Sequence, residues 1–262
     1  MTFLGKTLKQ TLRNSKKFIK RTLVINSIVR NIYNMVPSEL KLWFSRVSEN
    51  PYKEMEDDNK VIFVHIPKAA GNGIKKSLFG QTISPGHYFA VHYKKEDSQK
   101  FNSYYKFTIV RNPWDRLVSA YFFLKQGGKC AADYEFSQRY LKDFESFRCF
   151  VLKLKDTNFQ KRMMRWMHFI PQYKFVFDEN DKLAVDYLGK FESIEEDFNY
   201  LKNKLQKQSA VLKKENQSKH KPYWEYYDEE MVEIVGEIYR EDVERFKYSF
   251  PLEKLKKQKE NL

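Results

Sequence analysis

The sequence predicts an α/β fold in three layers, a central and mostly parallel sheet flanked by helices, and three observations lead there. Val61 to Ile66 and Phe107 to Val110 are short, nearly unbroken apolar runs, as strands covered on both faces are. Each run leads into a helical start: small residues from Ala69 to Gly73 after the first, and Arg111-Asn112-Pro113 after the second, with Pro113 suited to a first helical turn. A chain of 262 residues is long enough for one such domain with appendages and a sizeable core. The expected division is a basic amphipathic extension and linker over 1–59, the domain over 60–251 and a Lys-rich tail over 252–262.

In the extension, Ile25, Ile28, Val29, Ile32 and Val36 share one helical face, with Lys16, Lys17, Lys20 and Arg21 nearby. Such a helix packs on the domain with its charges in water, or lies on a membrane surface. There is no secretory apolar core and no run able to span a bilayer, so a cytoplasmic protein with at most peripheral contact at the inner membrane face is expected. Pro51 and the acidic run from Glu54 to Asp58 read as a linker over Glu49 to Asn59.

Pro67 ends the first strand. From Ala69 to Gly73 a loop of small residues can bring backbone N–H groups to an anion at a helix start, with Lys68 adding a mobile charge. The arrangement is P-loop-like, but the lysine precedes the glycines and no Lys-Ser or Lys-Thr follows to place a hydroxyl on Mg²⁺. That order argues against an ordinary kinase or NTPase. Gly80 to Gly86 is turn-rich, and His87 and His92 after it are candidates for a general base or for hydrogen-bonded structural roles.

Residues 94–105 read as helical and lead into the second strand. Arg111 stands at that strand's carboxyl end, where open α/β sheets bind ligands, and its planar fork suits a phosphate; Ser119 in the next helix is placed to contact the same anion. Gly127-Gly128 ends that helix. Phe136 to Lys155 reads as one amphipathic helix, with Phe144, Phe147, Val151 and Leu154 at helical spacing. The basic, aromatic segment from Lys161 to Tyr173 suits either a sugar-binding wall or ordinary packing. Phe175 to Phe177 and Lys182 to Leu188 read as strands about a turn. Ser193 with Glu196 suggests a capping box; Lys202 to His220 a mobile loop whose lysines stand mostly in solvent, or from which Lys219 or Lys221 closes over the anion; and Asp228 the cap of a final helix to Phe246.

Lys and Arg number 48 against 34 Asp and Glu, a formal net charge of +14, which fits either attraction to polyanions and acidic membranes or a solvated Lys-rich surface. Cys130 and Cys149 alone provide no disulfide framework and no Cys-based metal site.

Four stretches in order resemble the sulfotransferases that use 3'-phosphoadenosine 5'-phosphosulfate (PAPS), of the Golgi carbohydrate type and their bacterial relatives. Ile66-Pro67-Lys68 with Gly71 resembles the loop for the 5'-phosphosulfate, and Arg111 with Ser119 the pair for the 3'-phosphate. Asp186 to Asp197 is similar to the Gly-Lys-Phe-Glu segment of the carbohydrate members, and Ile238 to Pro251 to their ending. The resemblance spans Lys60 to Pro251. It implies PAPS held by Lys68, Ala69, Ala70, Gly71, Asn72, Gly73, Arg111 and Ser119, with Lys68 and His87 catalytic and His92 in reserve. It implies a carbohydrate hydroxyl as acceptor, in a surface polysaccharide or glycolipid precursor, with small alcohols, lipids and protein tyrosine as alternatives, and with no metal and no nucleic acid; without the anchor typical of Golgi relatives, a bacterial cytoplasmic enzyme is expected. Asn72 and Gly73 stand where relatives carry hydroxyls, so either backbone N–H groups and the Asn72 amide hold the phosphate instead or donor binding is weaker. The competing readings are a nucleotide-dependent kinase or NTPase, a non-catalytic basic protein on membrane or nucleic acid, and a sulfotransferase fold without activity.

Overall fold

Val61–Phe63 forms strand β1 with every residue buried, because the two faces of this apolar run meet different cores. Ile62 and Val64 point to one cluster, with Tyr88, Val110, Phe175 and Phe246; Val61 and Phe63 point to the other, with Ile74, Leu78, Phe107, Phe198 and Leu201. The computed structural model describes residues 49–80, 86–213 and 221–255. The expected N-terminal amphipathic helix, residues 81–85 of the turn-rich passage, Lys219 and the end of the tail lie outside the described residues.

In chain order, α1 (Glu54–Asn59) precedes β1, and α2 (Gly71–Phe79), α3 (Ala90–Glu96) and α4 (Ser98–Ser103) lead to β2 (Tyr105–Val110). A run of helices follows: α5 (Pro113–Lys125), α6 (Ala131–Tyr140), α7 (Phe147–Lys153), α8 (Thr157–Met163) and the single turn α9 (Tyr173–Val176). Then come β3 (Tyr187–Lys190), α10 (Ile194–Lys204), α11 (Glu229–Ile238) and α12 (Arg240–Phe246). The sheet is parallel in the order β1-β2-β3, with Phe63 opposite Phe107 and Val110 opposite Lys190. Helices cover both faces, which is the α/β architecture expected. A third cluster joins α5, α7 and α11 through Trp114, Tyr121, Phe150, Met231 and Val235. Among the described residues no helix is long and apolar enough to cross a membrane.

Several expected elements take another form. The stretch expected as a linker carries α1, which buries Met55 and Glu56, and Asp57 accepts from Lys100 Nζ at 2.6 Å and Tyr104 Oη at 2.8 Å. The expected helix over Phe136 to Lys155 is broken after Tyr140: the chain turns through Lys142, Asp143, Glu145 and Ser146 while Phe144 between them packs on the core, and the Ser146 hydroxyl accepts from Cys149 N to start α7. Phe175 lies in α9 rather than in a strand. The buried Asp242 carboxylate accepts the Gln172 and Tyr173 N–H groups, each at 2.8 Å, and stabilises a helical turn there; only the bridge Phe177 to Leu183 remains of the expected pair.

Ser193 is not an N-cap by its side chain, since its hydroxyl donates to Asp197 Oδ2 at 2.8 Å. The expected loop from Lys202 begins inside α10, and Lys213 N donates to Ser77 Oγ at 2.8 Å. Asp228 does cap α11 through Met231 N, but the final helix divides at Tyr239, whose hydroxyl donates to the Phe169 carbonyl at 2.8 Å.

Candidate active site

Parallel strands end together, so the residues after β1 and after β2 meet at one edge of the sheet. In the loop after β1, Lys68 (φ 68°) and Ala70 (φ 60°) both adopt left-handed backbone, a costly geometry for residues with a Cβ that curls a loop into an anion-binding concavity. Helix α2 then starts at Gly71, two residues before Gly73 where the loop was expected to end. The N–H groups of Gly71, Asn72 and Gly73 fall in the first turn, which has no intrahelical acceptors, while Ile74 N reaches the Ala70 carbonyl at 3.2 Å. Only glycine fits at 71: a Cβ there would lie 1.9 Å from His65 Cδ2.

His65 is buried, and burial holds its imidazole well below the ordinary histidine range, with His87, Lys75 and His168 adding to the effect. Its carbonyl oxygen takes a hydrogen bond from His87 Nδ1 at 3.0 Å. A carbonyl only accepts, so His87 carries its proton on Nδ1 when neutral, and the lone pair that can take another proton is on Nε2. His92, the reserve base, instead accepts from Phe89 N through Nδ1 at 3.2 Å and stacks on the Phe89 ring, which fixes the start of α3.

Arg111 is held on every side. Its Nε and Nη2 atoms donate to the two carboxylate oxygens of Asp115 at 2.8 and 2.7 Å, and Nη1 donates to the Lys68 carbonyl at 3.0 Å. The guanidinium also lies 4.1 Å from the Phe191 ring centre, and the Gln172 amide clamps the Arg111 backbone through bonds of 2.9 and 2.7 Å. Ser119 is buried in α5, four residues after Asp115 and therefore on the same helix face. The remaining motifs converge here. Asn112 N donates to Glu192 at 2.7 Å, Tyr248 Oη donates to the other oxygen of Glu192 at 2.9 Å, and Asn112 Nδ2 donates to the Ser249 carbonyl at 3.1 Å. Gly189 lets β3 lie close, since a Cβ there would be 2.7 Å from Ile109 Cδ1.

Positive charge dominates. The Lys68 ammonium sits 4.1 Å over the Phe123 ring, and burial, aided by Arg111, Lys129 and Arg116, pushes its pKa down to about 8. Arg116 is buried; its Nε donates to the Pro67 carbonyl at 3.0 Å, and its Nη2 is buried with no hydrogen-bond partner among the described residues. Sequence reasoning passed over Asp115, Arg116, Asp133 and His168. The i,i+4 spacing of Arg111 and Asp115 was a usable signal; nothing local linked Asp133 to His168, which bond across the fold at 3.2 Å.

The segment from Lys161 to Tyr173 is mainly packing rather than a wall open to solvent. Met163, Trp166, Phe169 and Ile170 are buried, with Trp166 stacked 4.2 Å from Phe136, while Lys161, Arg162 and Arg165 are exposed. Among the described residues no group of His, Cys, Asp and Glu is arranged to hold a metal ion.

Over 175 residues the chain is 25% identical to carbohydrate sulfotransferase 9 of Homo sapiens, an alignment that takes in 56% of this chain and 39% of that protein. The chain thus spans well under half the length of the curated relative it matches. No solved structure matches it. Residues 54–249, most of the chain and all of the loop, strand-end and C-terminal elements assembled above, match the sulfotransferase family. The chain belongs to that family.

Proposed function

We propose that the protein transfers a sulfuryl group from PAPS to a hydroxyl of a carbohydrate acceptor, in a surface polysaccharide or glycolipid precursor. The observation that carries the reading is the Arg111 Nη1 bond to the Lys68 carbonyl, which makes one continuous cationic site of the loop after β1 and the end of β2. The donor set suits a ligand phosphorylated at two ends. Loop and α2 N–H groups with Lys68 stand at one end, Arg111 with Ser119 at the other, and Arg116 Nη2 is a buried donor lacking an acceptor.

Bound PAPS supplies an activated sulfuryl group on a phosphate leaving group. Residues of this chain do the rest, by positioning and by charge. The α2 N-terminus orients the 5' end; Lys68 neutralises charge where the phosphate departs; Arg111 reads the 3'-phosphate with the fork that Asp115 holds in place. His87 Nε2 takes the acceptor proton. The carbohydrate acceptor is supported by the name of the distant relative and by the motif resemblance. The test is turnover of radiolabelled PAPS against a panel of sugar, lipid and phenol acceptors. Label should pass to sugars, and His87→Ala should slow transfer by roughly 10²- to 10⁴-fold while leaving a residual rate. Transfer only to phenols or lipids would overturn the acceptor, and no transfer to any would overturn the activity.

A further inference from the structure

We propose that Asp133 and His168 form a proton-holding pair for His87: the proton that His87 accepts at Nε2 is passed toward Nδ1 of His168, whose ring Asp133 orients. The proton's origin in an acceptor hydroxyl rests on the sulfuryl-transfer reading; the coupling of the two rings does not.

Asp133 is itself built in. It lies in the first turn of α6, under the Gly127-Gly128 turn, where a Cβ on Gly128 would fall 2.1 Å from Asp133 Cβ, and its Oδ2 accepts Lys129 N at 3.1 Å. Burial would raise its pKa, but the His168 bond, the Lys129 N–H and the Cys130 side chain outweigh that and hold it below the usual carboxylate range, so it is a carboxylate. Burial keeps His168 neutral against the pull of Asp133. A neutral ring donating to a carboxylate through Nε2 at 3.2 Å has its lone pair on Nδ1. That Nδ1 atom is buried and has no hydrogen-bond partner among the described residues.

A buried acceptor without a donor is an incomplete arrangement, and the neighbouring ring that can bring a proton is His87. The His87 and His168 rings are 6.3 Å apart between centres at 70°, too far for a direct nitrogen-to-nitrogen bond and close enough for one intervening water. The titratable and charged groups around the two rings are His65 from the segment after β1, with Lys75 of α2 acting on it, Lys68 from the loop, Arg116 from α5, and Lys129, Cys130 and Asp133 around the start of α6. Asp133 is the carboxylate among them. In the transfer step the acceptor O–H breaks, its electron pair forms the new O–S bond, and the S–O bond to phosphate breaks with its pair leaving on 3',5'-ADP. The proton goes to His87, and water relays it toward Nδ1 of His168, where the Asp133 carboxylate offsets part of the cost that burial sets on the imidazolium.

The first test uses the ligand-free wild-type protein: NMR titration of the histidine ring resonances. The pair predicts that the His87 and His168 signals each report the other's titration step. Independent single-step curves would overturn it. The second compares Asp133→Asn with wild type in pH–rate profiles alongside 3',5'-ADP calorimetry. Loss of the carboxylate should lower kcat about tenfold or more, move the acid limb to lower pH, and leave the 3',5'-ADP affinity within about twofold. A lowered kcat with an unmoved limb would mark Asp133 as merely structural and overturn the proposal. If Asp133→Asn does not fold, the wild-type titration decides alone. Coupled rings in a protein that never turns over PAPS would uphold the pair and refute the sulfuryl-transfer reading.

Discussion

Arg111 Nη1 donates to the Lys68 carbonyl oxygen at 3.0 Å, so the arginine at the end of β2 fastens the loop after β1 while Asp115 grips its other edge. Both partners of the ion pair are nearly buried, with side-chain exposures of 9% and 13%. Removing the carboxylate leaves a desolvated guanidinium without its counter-charge. Asp115→Ala is expected to destabilise the fold by about 3 kcal/mol in urea denaturation, and added 3',5'-ADP should restore more stability to the variant than to wild type. A variant as stable as its parent would contradict the pairing.

The Lys68 ammonium gives the site a pH dependence. Its pKa is lowered to about 8 by burial and then by Arg111, so the charge is present below that pH and lost above it. Affinity for 3',5'-ADP should fall as pH rises through about 8 and on upward, since a bound anion itself favours the charged lysine. Lys68→Arg should flatten this limb, because a guanidinium stays charged throughout. Calorimetry across the range checks both, and a flat wild-type profile would remove Lys68 from the anion site.

Gly71→Ala should be harmful for a steric reason, the added methyl meeting the His65 ring at 1.9 Å. A fall of about 1 to 3 kcal/mol in unfolding free energy is expected, with weaker 3',5'-ADP binding as His65 and the loop shift. Full retention of both would show that the His65 ring yields cheaply.

Much of this site was legible because its chemistry is local in sequence. An apolar run, a proline, small residues and a lysine describe a strand and a loop within a short stretch, and Arg111 followed by Pro113 marks the second strand end. What escaped was long-range or ambiguous in period. Asp133 and His168 are 35 residues apart and meet only through tertiary packing. The buried Met163, Trp166, Phe169 and Ile170 share one segment with exposed Lys161, Arg162 and Arg165, a pattern that fits an amphipathic core segment as well as a binding wall. The break after Tyr140 was written in Ser146, an N-cap residue inside an apparent helix. No local signal foretold the turn at Gln172, since the carboxylate that stabilises it, Asp242, comes 70 residues later.

That carboxylate also sets a stability limb. Burial raises the Asp242 pKa to about 6 despite the N–H groups of Gln172 and Tyr173. A carboxyl raised in the folded state favours its neutral form there. Its contribution to stability is whole below the unfolded value of about 4 and is lost as pH rises through about 6. Asp242→Asn should therefore remove a decline in stability between those values. Urea denaturation of both proteins across the window checks this, and identical pH profiles would contradict it.

The 3'-phosphate site is tested most directly by calorimetric titration with 3',5'-ADP beside 5'-AMP and ATP with Mg²⁺, on wild type and Arg111→Ala. Tight 3',5'-ADP binding and much weaker 5'-AMP and ATP binding are expected, with a loss of about 2 to 5 kcal/mol for 3',5'-ADP in the variant that exceeds any loss for 5'-AMP. Equal affinity for 3',5'-ADP and 5'-AMP, unchanged by Arg111→Ala, would contradict a site built to read a 3'-phosphate.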